Sequence, residues 1–126
     1  MPVNLADARY FNLATFRKSG VAVETPVWFA TDGNVHYVFS EGQAGKVKRI
    51  RANGRARVAA CDVRGRVLGP WQEGRARVIT DVSEIARAYR ALRARYGWQM
   101  MLTDFFSKVT GRFDKRALLA VELDRA

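Results

Sequence analysis

The sequence predicts a mainly β fold with helical insertions, and three observations support this. Short runs with apolar residues at alternate positions recur along the chain, which is the period of a strand. The pair Asp32-Gly33 lies between two such runs and indicates a tight hairpin, because glycine accepts the positive φ that such turns need. Two segments change to a helical period. At 126 residues the chain is expected to form a single domain, residues 1–126.

The runs of alternating apolar residues predict six strands, at 10–18, 21–30, 35–40, 55–63, 67–80 and 116–124. The fifth is expected to bend near Gly69-Pro70, because proline cannot donate to a strand ladder.

The helices follow from apolar spacing. A short helical lead-in is predicted at 4–9, and a helix at 43–53 has Ala44, Val47 and Ile50 on one face. A helix at 83–96 is expected to end at Gly97, with a second helix or pair of turns at 99–109.

Composition excludes several classes of function. With 48% hydrophobic and 27% charged residues, the chain has the balance of a soluble globular protein. It contains no apolar run of the roughly 18 residues that a membrane span needs, and its start lacks a signal peptide's features. A cytoplasmic protein without a membrane partner is expected. Cys61 and His36 are the only residues of their types, so we expect neither an intrachain disulfide nor a metal site.

The net charge of +10 favours an anionic partner. Most of the basic residues are arginines scattered among alanines. The general composition of the chain therefore explains most of the positive charge as well as an anionic partner does. The local cluster at 46–51 is the exception. Lys46 and Arg49 lie about one turn into the predicted helix, and Lys48 and Arg51 extend the positive field. Ser40 and Gly42 just before it offer further donors, and a helix start itself attracts anions. The competing interpretation is a solvated helix face.

The preceding strand offers a platform for a flat ring. Pro26 predicts an edge or a bend, which leaves the backbone of Thr25 to Phe29 open to the heteroatoms of a ring. Trp28 is expected either to wall the pocket or to pack at a subunit interface. Val27 is also consistent with an ordinary core position.

Five segments together resemble the split-barrel flavin-binding superfamily of pyridoxamine phosphate oxidase. They are Leu13–Gly20, Thr25–Phe29, Asp32–Gly33, Lys46–Asn53 and Gly74–Val78. The resemblance is closest to the actinobacterial branch described as F-420-dependent enzymes. It implies a split β-barrel of about six antiparallel strands, of Greek-key type with helices. It also implies a homodimer that holds its cofactor in a groove between the subunits.

The resemblance also bears on the cofactor. In the oxidase branch an Arg and a Lys on the second strand hold the FMN phosphate, whereas the matching positions here are Thr25 and Ala30. This departure favours coenzyme F-420, a deazaflavin whose phosphodiester and polyglutamate tail need several spread positive charges. The implied activity is hydride transfer to a small unsaturated organic substrate. The expected cofactor-binding residues are Thr25, Pro26, Val27, Trp28, Ser40, Lys46, Lys48, Arg49 and Arg51.

Other functions stay open. FMN is the alternative cofactor, in an oxidase or flavin reductase of the same fold. A binder of polyanions or nucleic acid is disfavoured, because no nucleic-acid module signature is present. A non-catalytic ligand carrier fits the same fold. His36 and Tyr37 are candidate proton donors only by their place on the third strand, and no catalytic residue is assigned.

Overall fold

A computed structural model of the protein describes residues 5, 8–41, 45–109 and 116–124, of which 41, 96–109 and 116 are described by backbone alone. The elements in chain order are β1 (Tyr10–Phe16), β2 (Ala22–Asp32), β3 (Val35–Glu41), α1 (Gly45–Ala52), β4 (Arg55–Cys61), β5 (Gln72–Val78), α2 (Val82–Val109) and β6 (Arg116–Leu123). The predicted lead-in at 4–9 lies largely outside the described residues, as do positions 43 and 44 of the first predicted helix.

The six strands form a closed barrel in the order β1-β2-β3-β6-β5-β4. Every ladder is antiparallel. The Asp32-Gly33 hairpin joins β2 to β3, and Gly33 has the expected positive φ of 61°. Strands β4 to β6 return beside β1 and β3 in the manner of a Greek key. The predicted split barrel of six strands is therefore confirmed.

The barrel interior is the main hydrophobic core. Residues at alternate positions of each strand point inward, including Phe11 and Phe29, whose rings stack at 4.3 Å. Val47 and Ile50 of α1 join this cluster and close the end of the barrel near Thr15. Leu5 and Ala8 belong to the chain that precedes β1, and they pack against the core at the other end.

Helix α2 covers the outer face of β2, β3 and β6. Its Ala88 and Leu92 pack with Tyr37 and other outward-facing strand residues in a second buried cluster. Asp81 caps the helix by accepting a hydrogen bond from Glu84 N at 3.1 Å. Glu84 does not complete a capping box, because Arg77 on β5 donates to both of its carboxylate oxygens. This ion pair joins the start of α2 to the barrel.

Two predicted elements differ from the structure by more than two residues. The helix predicted to end at Gly97 continues as one helix to Val109. Glycine costs a helix only ~1 kcal/mol relative to alanine, and it ends one only when it takes up a positive φ. In the described backbone that conformation occurs at Gly20, Gly33 and Gly65.

The strand predicted at 67–80 is interrupted. Val67 forms an isolated bridge with Cys61, and the ladder with β4 resumes at Gln72 opposite Val58, shifted in register by two residues. The shift occurs around Gly69-Pro70, where a bend was expected. Because proline donates no hydrogen bond, the chain leaves the ladder there and β5 begins only afterwards.

The pentapeptide Gly-Arg-Ala-Arg-Val at 54–58 and 74–78 provides a matched test of the barrel packing. A Cβ at Gly74 would lie 2.9 Å from Leu123 Cα and would also meet the Glu122 carbonyl oxygen. A Cβ at Gly54 would lie 3.1 Å from the Ala76 carbonyl oxygen alone. We expect Gly74→Ala to lower the free energy of unfolding by about 2 kcal/mol, because β6 must shift, and Gly54→Ala to lower it less. Urea denaturation measures both, and equal losses would contradict this account.

Candidate functional site

Strands β2 and β3 separate along part of the barrel wall. Their ladder covers only four pairs, from Phe29 opposite Val38 to Asp32 opposite Val35. Continued by two residues, this register would set Val27 opposite Ser40, but β2 before Phe29 is paired only with β1 in the described chain. We call this opening, between 25–28 of β2 and 39–40 of β3, the β2–β3 gap. Of the two expectations for Pro26, an edge or a bend, the structure supports the edge, because Pro26 pairs with Asn12 of β1 but with no described residue of β3.

The predicted ring platform is divided between two faces of β2. Val27 is 8% exposed and belongs to the interior core, and Thr25 lies on the same face. Pro26 and Trp28 point outward, where Trp28 lies beside Tyr10 with ring centroids 6.4 Å apart. Side chains alternate along a strand, so Trp28 and Val27 cannot wall the same side of a ring. What the four residues share is a continuous stretch of backbone along the gap.

Helix α1 brings the predicted cations to the end of the barrel at which β3 finishes. Lys46 and Arg49 are half-buried on one flank of the helix, whereas Lys48 and Arg51 are exposed. Ser40, near the end of β3, is 4% exposed and faces the interior. The first turn of α1 contains no acidic residue. Within the described part of the chain no ion pair joins Lys48 or Arg51 to a carboxylate. Gly42, named from the sequence, lies outside the described residues.

Arg49 is held against β1. Its Nε donates to Thr15 Oγ1 at 2.7 Å, and the threonine is fully buried. Burial lowers the pKa of Arg49, and the nearby charge of Arg17 lowers it further. The sequence analysis missed Thr15 and Arg17. Thr15 lies near the end of β1 and Arg17 follows the strand directly, but only the docking of α1 brings Thr15 to Arg49.

The opposite end of the barrel contains the only histidine. His36 points inward with its ring edge-on to Phe11 and Phe29, and its Nδ1 lies 2.7 Å from Thr31 Oγ1. Arg95 of α2 places its guanidinium 4.6 Å from the Phe29 ring centre and donates to the Ala8 carbonyl oxygen. Burial lowers the pKa of His36, and the charge of Arg95 lowers it further. His36 therefore lies four residues along β3 from Ser40 and away from α1.

Other reactive groups are buried or partnered. Tyr37 is 1% exposed beneath α2, and burial is the first cause of its raised pKa. Burial also raises the pKa of the Cys61 thiol to about 11, with a contribution from Asp62. Among the described residues no three His, Cys, Asp or Glu side chains form a group that could hold a metal ion. No helix in the described ranges is both long and apolar enough to cross a bilayer.

Three of the four arginines in the repeated pentapeptide have partners among the described residues. Arg55 lies over the Phe16 ring at 4.2 Å, and both Arg55 and Arg57 approach Glu73 at 3.8 Å. Arg77 contacts Glu84 and Glu122. These contacts within the described chain indicate that the arginines of the two pentapeptides serve mainly the surface of the barrel.

Residues 3–126, almost the whole sequence, match the family model described as pyridoxamine 5'-phosphate oxidase. The chain belongs to the pyridoxamine 5'-phosphate oxidase family. No curated protein matches the sequence.

Solved structures share the fold of this pyridoxamine 5'-phosphate oxidase family member at low sequence identity. The heme storage protein HutZ from Vibrio cholerae is 12% identical with a TM-score of 0.71, over 96% of this chain and 85% of that one. A FAD-binding protein from Mesorhizobium loti is 18% identical with a TM-score of 0.66, over 96% and 83%. A conserved hypothetical protein from Mycobacterium tuberculosis is 20% identical with a TM-score of 0.67, over 94% and 75%. At these identities the likeness shows the fold.

The lowered pKa of His36 predicts a pH-dependent stability. The pKa of His36 in the folded chain lies below the ordinary 6.5. Once the pH falls toward 6.5, the unfolded chain therefore binds more protons than the folded chain does. Stability is then lost on acidification. We expect urea denaturation to show a lower free energy of unfolding at pH about 5.5 than at about 7.5. The His36→Gln variant should show a smaller difference. An unchanged difference in the variant would contradict the assignment to His36, because the stability that Glu84 contributes through its own lowered pKa is lost only near and below the ordinary value of 4.5.

Proposed function

We propose that this family member is an F-420-dependent oxidoreductase, which transfers a hydride between the reduced deazaflavin and a small unsaturated organic substrate. One observation carries the proposal. The β2–β3 gap opens at the end of β3 that leads to α1, the helix that presents four cationic side chains within six residues. An open strand edge beside a cationic helix suits a ligand with a flat ring at one end and anionic groups at the other.

The distribution of charge supports F-420 over FMN. A single phosphate needs one compact cradle, whereas a phosphodiester followed by a polyglutamate tail needs positive charges along its length. Lys46 and Arg49 lie half-buried toward the barrel, and Lys48 and Arg51 continue outward into solvent. Position 25, which faces the gap, is a threonine, and Ala30 is buried beneath α2. The oxidase-type pair of strand cations is therefore missing from this gap.

The chain would bind and orient the cofactor. The backbone of Thr25, Pro26 and Val27 offers polar groups to the edge of the ring, and Ser40 lies across the gap from Val27. When bound, F-420 supplies the two-electron hydride chemistry. Neither candidate proton donor lies at the gap, since Tyr37 is buried under α2 and His36 is at the far end of the barrel. We therefore assign the proton to solvent.

Equilibrium fluorescence titrations of purified protein with F-420 and with FMN test the proposal. We expect F-420 to bind, with an affinity that falls as salt is raised, because the attraction is largely ionic. Lys46→Ala should weaken F-420 binding about tenfold, as expected for the loss of a charge-assisted hydrogen bond.

Arg90→Ala is the matched control. It also removes one positive charge, but from the exposed side of α2, away from both the gap and the β4–β5 connection. Its binding of F-420 should equal that of the wild type. Binding of FMN alone, or of neither compound, would refute the proposal. The FAD-binding structural relative makes FMN the first competitor to measure.

We also propose that the protein is a homodimer, in which a second copy completes the groove. Val63, Val67 and Leu68 are exposed by 65%, 41% and 37% on the connection between β4 and β5. Asn12 Nδ2 donates to the Gly65 carbonyl oxygen, which holds this connection on the outer face that also presents Pro26 and Trp28. An apolar surface beside the gap fits a subunit contact.

Sedimentation equilibrium at micromolar concentration should give twice the mass of the chain. Val67→Glu should shift the protein toward monomer, because it places a charge in the apolar contact. Val82→Glu, on an exposed valine at the start of α2, is the matched control and should leave the mass unchanged. A monomeric wild type, or a Val67→Glu protein that stays dimeric, would contradict this arrangement.

A further inference from the structure

Thr15 is a polar residue in the apolar interior of the barrel. It faces the barrel interior in line with Phe11 and Leu13, it lies opposite Ala56 of β4, and it is fully buried. Its hydroxyl accepts the hydrogen bond from Arg49 Nε at 2.7 Å. A valine would fill nearly the same volume without introducing a polar atom into the core. The packing of the barrel therefore does not require a hydroxyl here, whereas the orientation of Arg49 uses one.

The bond to Thr15 leaves the rest of the guanidinium available. Arginine has five N–H donors in a planar fork, and the Nε–H is the one that Thr15 accepts. Within the described residues no partner accepts from the four N–H groups on the two Nη atoms. They can bind two oxygens of one phosphoryl or carboxylate group, and such paired contacts are among the strongest hydrogen bonds in proteins.

A second arginine lies at the same end of the barrel. Arg17 follows directly after β1, two residues beyond Thr15, and its backbone N–H donates to the Val21 carbonyl oxygen in the β1–β2 hairpin. Its charge contributes to the lowered pKa of Arg49. Two guanidinium groups in proximity repel each other, and an oxyanion bound between them would relieve that repulsion.

Gly45 makes room for this position of Arg49. A Cβ at residue 45 would lie only 2.8 Å from Arg49 Nη1 and 3.5 Å from Cζ. The guanidinium therefore folds back over the first turn of α1. An alanine at position 45 could be accommodated only if the end of the Arg49 side chain moved.

We propose that Thr15 is a positioning residue that fixes the Arg49 guanidinium so that Arg49 and Arg17 together bind one oxyanion of the ligand. Gly45 is the second determinant of the same position. This inference rests on the proposed function for the identity of the whole ligand, but the oxyanion subsite can be tested without it. A guanidinium held in place before binding loses less side-chain entropy on binding, and affinity is gained in that way.

The experiment measures binding of inorganic pyrophosphate by calorimetry and of F-420 by fluorescence in the same set of variants. Thr15→Val should weaken pyrophosphate binding about tenfold, the size expected when a hydrogen bond to a charged group is lost. Thr15→Ser keeps the hydroxyl and should restore most of the affinity. Arg17→Ala should weaken binding to a similar degree. Thr31→Val removes a hydroxyl at the other end of the barrel and should leave binding unchanged.

Gly45→Ala separates positioning from a structural role. Alanine is the better helix former, so the free energy of unfolding should stay the same or rise while pyrophosphate binding weakens. This variant and Arg17→Ala also decide the question if Thr15→Val fails to fold. Acetate and glutarate, measured beside pyrophosphate, show whether the subsite prefers phosphoryl or carboxylate oxygens.

Three outcomes are distinct. If Thr15→Val and Gly45→Ala bind pyrophosphate as the wild type does, the positioning role is wrong, and F-420 binding by the wild type would leave the proposed function intact. If F-420 does not bind while pyrophosphate binding weakens in both variants, the proposed function fails and the subsite stands. If both variants lose stability and keep their affinity, Thr15 and Gly45 serve the fold alone.

Discussion

The closure of the barrel is the constraint on which the rest of the structure depends. Strand β1 pairs along its length with both β2 and β4, and β3 pairs with β6 over seven residues. Because the ring is closed by these long ladders, the short ladder between β2 and β3 can end at Phe29 without leaving the sheet open. An exposed strand edge normally invites pairing with other chains. Here it is a limited stretch of backbone, set in a barrel wall and next to a helix.

The two ends of the barrel have different chemistry, since different elements close them. Helix α1 closes one end with Val47 and Ile50, and its cationic flank is brought to the end of β3 by the same docking. At the other end Arg95 of α2 reaches over the Phe29 ring to the Ala8 carbonyl oxygen, and its charge disfavours a protonated His36. The cationic helix thereby lies at one end of the barrel, and the titratable histidine is packed at the other.

Local sequence signals predicted much of this fold because they reflect local energetics. Alternation, the Asp32-Gly33 hairpin and the apolar spacing of α1 each depend on neighbours within a few residues. The structure departs from the local signals at two points. Gly97 predicts a helix end, but a single glycine costs a helix little and α2 continues through it. Gly69-Pro70 predicts a bend within a strand, but it breaks the ladder. Alternation along β2 could have divided Val27 from Trp28 without any structure.

The sequence by itself determined the strand-rich architecture, the cationic helix and the family, because periodicity, turn chemistry and motif order are properties of the chain. Tertiary structure alone decided where β2 leaves β3, and that Arg49 meets Thr15 across 34 positions of sequence. The physical reason is that these contacts depend on barrel closure and on how α1 docks into its end. The conformational preference of a residue does not specify which distant hydroxyl accepts a hydrogen bond from a half-buried guanidinium.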